Sequence, residues 1–251
     1  MQRSVLAVMA TFPARSAAVR AAAERLAPQV DRLVVVFNEH TKVPDWCASI
    51  PNLEGVLPDV DRKDVAKFHV PFPPDAWVFL VDDDLVYPLD YVESSIRSAV
   101  ATGLSDHAIF GYHGTTYGWN GGKSFLHHLL NFARTPVFHR AVFSHVLRFD
   151  RALAKAWRVE QLGTGTVLAL GKNLMDLTTA EGSERRVDTR LASWAFQTGR
   201  PMVALPRARG WMQNTNQSDS IFASYTLRRP QEFLDEVALF SGKIKGLGPL
   251  S

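Results

Sequence analysis

Asp82, Asp83 and Asp84 directly follow the apolar run Trp77-Val78-Phe79-Leu80-Val81 and precede Leu85-Val86-Tyr87-Pro88. Successive side chains of an extended chain point to opposite sides, so Asp82 and Asp84 share a face at the mouth of a buried strand. Two carboxylates placed in this way suit a divalent cation, and a cation held there can bind a diphosphate. The competing reading is a solvated turn or a helix start, since Asp is a good N-cap and Pro88 suits a first helical turn. Mutual repulsion of three adjacent carboxylates calls for a neutralising partner, and open α/β sheets place their ligands at the carboxyl ends of core strands.

A second charged pair lies upstream. In Asp61-Arg62-Lys63-Asp64-Val65-Ala66-Lys67-Phe68, Asp64 and Lys67 have the spacing of neighbours on one side of a helical turn. They read either as a surface ion pair worth about 0 to 1 kcal/mol or as an Asp that accepts from a base or ribose and a Lys that approaches a phosphate. His113, before Gly114, ends a strand at the same edge as the aspartates if the sheet is parallel. Three other patterns fail on spacing. Gly121-Gly122-Lys123-Ser124 lacks the first P-loop glycine, which falls on Tyr117, and Gly163-Thr164-Gly165 lacks the third dinucleotide glycine, which falls on Leu168. His127-His128 has no Glu or Cys at metal-ligand spacing.

These side chains need a scaffold, and the chain supplies alternating signals. A β-compatible stretch over 4–11, an Ala-rich helix over 16–26 and the β-branched run Leu33-Val34-Val35-Val36-Phe37 form a β-α-β unit. A short strand over 55–57, a helical piece within 61–68, the strand over 77–81 and a helix over 91–101 follow. Residues 108–112 read as another strand and 111–122 as a long loop rich in Gly, Thr, Tyr and Asn. Strands are expected over 137–146 and 157–170, a helix over 188–197, a strand over 202–205, an irregular loop over 210–220 and a helix over 221–240 broken at Pro230. Strands alternating with helices predict an α/β fold, with a mainly parallel sheet covered on both faces.

With 251 residues, 46% hydrophobic and 21% charged, the chain is an ordinary globular one, and we expect one domain. A net charge of +3 gives no case for nucleic-acid binding. Charge is uneven, however: residues 1–125 carry 11 basic and 15 acidic groups, net −4, leaving +7 for the remainder. That late basic excess suits phosphates or an anionic surface, although most such side chains are simply solvated. Cys47 is the one cysteine, which excludes a disulfide framework and a multi-cysteine zinc site and fits a reducing, cytoplasmic setting. The apolar N-terminal stretch is short and runs into Pro13 and Arg15, so it reads as a strand and not a signal peptide. No run approaches the roughly 18 to 20 apolar residues of a membrane span.

Taken in order, Ala10-Thr11-Phe12-Pro13-Ala14-Arg15, Val35-Val36-Phe37-Asn38, Asp64-Val65-Ala66-Lys67-Phe68 and Asp82-Asp83-Asp84-Leu85-Val86-Tyr87-Pro88 resemble nucleotide-sugar glycosyltransferases of the GT-A fold, similar to bacterial family 2-like enzymes. The resemblance is clear over roughly the first hundred residues. It implies a single GT-A-like domain over 1–251, with a Rossmann-like, mainly parallel sheet, a nucleotide-sugar-binding half over about 1–105 and a mixed acceptor-binding half over about 106–251. By position it implies that Pro13 and Arg15 border the nucleotide, and that Asn38, Asp64 and Lys67 contact base, ribose or phosphate. Asp82 and Asp83 would then serve the sugar nucleotide, and Asp82 and Asp84 a Mn2+ or Mg2+ ion.

The same resemblance implies a UDP-sugar or similar donor, a glycan or lipid-linked glycan acceptor, and work in bacterial surface glycan synthesis at the cytoplasmic side, with at most peripheral contact with the inner membrane. Asp188 resembles the acidic residue that begins the acceptor-side helix of inverting members, and a helix N-cap is an equal reading of it. The usual Glu-Asp pair is Val187-Asp188 here, and Arg207-Ala208-Arg209-Gly210-Trp211 stands where a Gln-x-x-Arg-Trp element is expected. Trp119, Trp211 and Tyr117 are candidate sugar platforms or ordinary packing aromatics. The alternatives are a sugar nucleotidyltransferase, against which the glycine-free loop over 11–15 argues, and a non-catalytic carbohydrate- or nucleotide-binding module.

Overall fold

The computed structural model describes residues 3–118, 144–215 and 230–250. Strands β1 (Val5–Thr11), β2 (Arg32–Phe37), β3 (Leu53–Val56) and β4 (Trp77–Asp82) pair in parallel in the order β3-β2-β1-β4. Between them run helix α1 (Ser16–Leu26) and a 3-10 turn, Lys63–Phe68. The sheet continues into the second half of the chain through β11 (Thr166–Leu170), β6 (Ile109–Gly111), β12 (Met202–Ala204), β9 (Trp157–Val159) and β14 (Gly248–Pro249). β11 is antiparallel to both neighbours, β12 is parallel to β6, and β9 is antiparallel to β12 and β14. Seven of the nine strands therefore share one direction, and β9 and β11 oppose it.

The apolar runs of β2 and β4 are continuous because both faces of the sheet are covered. Val34, Val36, Val78 and Leu80 pack on one face against Val65, Ala66 and Phe68 of the 3-10 turn, with Leu191 and Ala195 of helix α4 (Val187–Gln197) and Phe233 and Val237 of α5 (Gln231–Phe240). Val35, Phe37, Phe79 and Val81 pack on the other face against Val19 and Leu26 of α1 and Tyr91 and Ala99 of α2 (Tyr91–Ala101). The mixed α/β architecture with helices on both faces is thus as expected. Among the described residues no helix is long and apolar enough to cross a membrane.

Several elements differ from the expectations. Part of the segment expected as a loop over 111–122 is strand β7 (Gly114–Tyr117), which pairs with β8 (Ser144–Leu147) and β10 (Gln161–Leu162) in a second sheet. The strand expected over 157–170 is three strands, β9, β10 and β11, separated at Glu160 and at residues 163–165. The irregular loop over 210–220 contains β13 (Gln213–Asn214), paired with β5 (Leu85–Val86) just beyond the aspartates. A one-turn helix, α3 (Leu177–Ala180), precedes α4. Trp119, Gly121, Gly122, Lys123, Ser124, His127 and His128 lie outside the described residues, as does the part of the last expected helix before Pro230.

Candidate functional site

Five strands bring their ends to one edge of the sheet. The parallel register sets Ala10 beside Asp82 and Thr11 beside Phe37, so the loops leaving β1, β2 and β4 open together. β11 runs the other way with Thr166 opposite Val81, which delivers Gly163-Thr164-Gly165 to the same edge. β6 ends there as well, since the backbone N–H groups of Tyr112 and His113 donate to Thr166 Oγ1 at 3.0 and 3.2 Å. His113 therefore lies at the aspartate edge, as expected.

The triplet divides where β4 ends: Asp82 closes the strand, and Asp83 and Asp84 form the turn after it, not the extended chain whose alternation was expected. Asp83 faces the protein: it accepts from Thr11 Oγ1 at 2.7 Å and from an Arg15 guanidinium nitrogen at 2.6 Å, and that nitrogen also donates to Asp84 at 2.8 Å. Only 4% of the Asp83 side chain is exposed, against 39% for Asp82 and 25% for Asp84. Burial pushes the Asp83 carboxyl above the usual range against the pull of Arg15 and Thr11, and burial followed by the Asp82 charge does the same to Asp84. Two features lock Asp82. The fully buried Tyr87 hydroxyl accepts from the Asp82 N–H at 2.8 Å and donates to the Gly165 carbonyl at 2.8 Å. Gly165 lies directly against the carboxylate, where an added Cβ would fall 1.9 Å from Asp82 Oδ2.

Lys67 lies buried between the two ends of the site. Its ammonium pairs with Asp82 Oδ1 and reaches Thr164 Oγ1 at 3.4 Å. Burial alone would lower its pKa, but the charges of Asp82, Asp188 and Asp64 more than offset this and raise it. Thr164 in turn donates to Asp188 Oδ1 twice, from its N–H at 2.8 Å and its hydroxyl at 2.7 Å. A continuous polar line thus runs Asp82, Lys67, Thr164, Asp188. Asp188 sits in the first turn of α4, where a carboxylate is favoured, but it does not cap that helix. Among the described residues its second oxygen carries no hydrogen bond. Burial raises its pKa, opposed mainly by Thr164.

The helix start is held by Asp64 instead, which accepts from the Arg185 N–H at 2.6 Å and the Val187 N–H at 3.4 Å. Burial, and after it the Asp188 charge, bring Asp64 up to about 6. Asn38 is buried with both ends of its amide engaged, donating to the Lys63 carbonyl at 3.0 Å and accepting from the Arg62 N–H at 3.1 Å. Pro13 is exposed at the start of the turn that carries Arg15. His113 stacks near Phe149, and burial, then Arg148 and Arg207, lower its pKa to about 4 and leave it a neutral imidazole. Trp211 packs against Tyr112 and Tyr91 and donates to Asp90 at 3.2 Å, and Tyr117 is buried against Phe240.

Sequence reasoning missed Thr164, Tyr87, Glu236 and Thr215. Thr164 lies inside Gly163-Thr164-Gly165, a pattern that gives no local sign of its role. Glu236, a carboxylate on the apolar face of α5, accepts from Arg186 at 2.9 Å, Thr189 at 2.9 Å and Arg190 at 2.5 Å, and so holds the first turn of α4 from the far side. A charged residue in an apolar stripe was its available signal. Thr215 donates to the Asp84 carbonyl from its N–H at 2.9 Å and its hydroxyl at 2.8 Å.

The donor set is compatible with a hard cation. One oxygen of Asp82 faces Lys67 and one of Asp84 faces Arg15; among the described residues, the second oxygen of each accepts no hydrogen bond. Two carboxylates, with remaining positions left to water and phosphate, suit Mg2+ or Mn2+. Among the described residues no three His, Cys, Asp or Glu side chains form a closed cage.

No family model matches the chain, and no curated protein matches it in sequence. Among solved structures it is similar to mannose-6-phosphate isomerase from Helicobacter pylori, at 10% identity over 82% of this chain and 90% of that one, with a TM-score of 0.40. A likeness that slight assigns neither fold nor activity.

Proposed function

We propose that this chain is a metal-dependent glycosyltransferase, moving a sugar from a nucleoside-diphosphate donor, a UDP-sugar by preference, to a hydroxyl of a glycan or lipid-linked glycan. The observation that carries the reading is the polar line from accessible Asp82 through Lys67 and Thr164 to Asp188, beside accessible Asp84. It supports a division into a donor end rich in oxygen ligands and an acceptor end with one carboxylate held for proton transfer. The largely co-directional sheet with its loops opening at one edge supports the GT-A-like reading.

In this reading the acceptor oxygen bonds to the anomeric carbon as the bond from that carbon to the diphosphate oxygen breaks, its electron pair leaving with the nucleoside diphosphate. The acceptor proton passes to Oδ2 of Asp188, whose other oxygen is fixed by Thr164. Burial makes Asp188 a better base than a solvated carboxylate. A Mn2+ or Mg2+ ion held by Asp82 and Asp84 would supply Lewis-acid neutralisation of the leaving group. Lys67 and Arg15 hold the carboxylates in place and add positive charge at that end. The protein would act at the cytoplasmic face of the inner membrane, with the basic second half as its peripheral contact.

The test is incubation with several nucleotide sugars and Mn2+ or Mg2+, reading nucleoside-diphosphate release with and without acceptor glycans. Asp84→Ala is expected to remain folded and lose metal-dependent release. Undiminished metal-dependent turnover in that variant rejects the metal assignment. Release of pyrophosphate favours the nucleotidyltransferase, and binding without turnover favours the binding module.

A further inference from the structure

Asp64 and Lys67 occupy one 3-10 turn, Lys63–Phe68, yet serve different parts of the molecule. Lys67 pairs with Asp82, whereas both Asp64 oxygens accept backbone N–H groups at the start of α4, from a position 121 residues away from Arg185 in sequence. A helix start leaves its first N–H groups without partners. Here the local cap position, Arg186, makes no side-chain cap bond. The preceding residue, Arg185, is held at φ 68°, a left-handed conformation that costs a residue with a side chain about 1 kcal/mol. Such a turn persists when its surroundings fix it, and the bond from the Arg185 N–H to Asp64 does so beside the bond from the Arg186 N–H to the Ser183 carbonyl at 2.9 Å. Asp188 follows Val187 directly, so the residues Asp64 grips set where the Asp188 backbone lies, from which its carboxylate reaches Thr164.

We propose that Asp64 is a positioning residue for Asp188 and not a ligand of the nucleotide, an inference that rests on the glycosyltransferase reading only in taking Asp188 as the base. The charged groups facing Asp64 are Lys67 from its own turn and Asp188 from α4, with Asp82 of β4 already paired to Lys67. Its carboxylate is thus committed to the acceptor side of the site.

Asp64→Ala and Asp64→Asn in the full chain test this by amide hydrogen exchange, nucleoside-diphosphate binding with Mn2+, and steady-state kinetics. Loss of a helix cap is expected to speed exchange at Arg185 and Val187 about tenfold in Asp64→Ala. Asp64→Asn keeps an acceptor for Arg185 and is expected to speed exchange at Val187 alone, which preserves the test if the alanine variant does not fold. UDP affinity is expected to change less than about twofold in both variants, while kcat of Asp64→Ala falls about tenfold with donor KM nearly unchanged. A tenfold loss of UDP affinity with unchanged exchange at Arg185 and Val187 overturns the proposal. If the wild-type chain turns over no nucleotide sugar, the functional reading fails while the exchange measurement still decides where Asp64 acts.

Discussion

Removing the Asp82 charge should expose the cost of burying Lys67. In Asp82→Asn the ammonium, 4% exposed, keeps only neutral acceptors, the Asn amide oxygen and the Thr164 hydroxyl at 3.4 Å, and loses its paired charge. Breaking a fully buried ion pair costs about 3 to 5 kcal/mol. Asp82 is 39% exposed, so water replaces part of what the carboxylate gave, and Asp188 and Asp64 still attract Lys67. The expected loss is about 2 kcal/mol. Lys67→Met removes the cation together with its desolvation penalty and leaves Asp82, 39% exposed, to water, against which Asp188 and Asp64 lose an attracting charge, so that variant should stay within about 1 kcal/mol of wild type. The double variant should match Lys67→Met, because without the ammonium the charge at position 82 has no buried partner to lose.

For a chain of this size about 2 kcal/mol corresponds to a melting point roughly 4 to 8 °C lower. The measurement is thermal and urea denaturation of the three variants with a chelator present, so that cation binding does not contribute. The raised Lys67 pKa means that its favourable contribution is fully present below the ordinary value of 10.5 and is lost only as pH rises through the folded value. An Asp82→Asn variant as stable as wild type, or a Lys67→Met variant less stable than Asp82→Asn, refutes the reasoning.

Two further outcomes follow from the same geometry. In Gly165→Ala the new methyl group displaces the Asp82 carboxylate, so Mn2+ affinity should fall at least about tenfold in a folded protein, and unchanged affinity by titration counts against the site. Asp64 titrates at about 6 in the folded chain and 3.8 when solvated, so between those values the fold holds a proton that the unfolded chain lacks. Its contribution to stability therefore falls as pH rises from about 4 to about 6, by at most about 3 kcal/mol, and is level above that. Asp64→Asn should gain on wild type across that window in denaturation midpoints, and a constant difference would show that the carboxyl does not titrate there.

The parts of this molecule legible in sequence are those where one local rule acts alone. Leu33-Val34-Val35-Val36-Phe37 announces a strand because both faces are buried, and the aspartates directly after an apolar run announce carboxylates at a strand end, although Thr11 and Arg15, and not alternation, turn Asp83 inward. What was illegible depends on distant partners. The strand Gly114–Tyr117 exists because β8 and β10 flank it, and its Gly-Thr-Thr-Tyr composition alone reads as loop. The reversed direction of β11 leaves no periodic trace, yet it places Thr164 between Lys67 and Asp188. Asp188 looks locally like its own helix cap, and only the fold shows that Asp64 holds that helix start.

The turn Lys63–Phe68 explains why the two ends of the site are fixed relative to each other. Val65, Ala66 and Phe68 are 1%, 0% and 2% exposed, so the turn is clamped into the core and its polar side chains project from an immobile base. Lys67 fixes Asp82 on one side and Asp64 fixes the approach to Asp188 on the other. Two mobile loops would have to find this separation anew at each encounter, at a cost in ordering entropy. A substitution that shifts the turn bodily, such as one at Ala66, should disturb both ends together, whereas changes at Lys67 or Asp64 alone reach only one. That asymmetry distinguishes a shared scaffold from two independently positioned carboxylates.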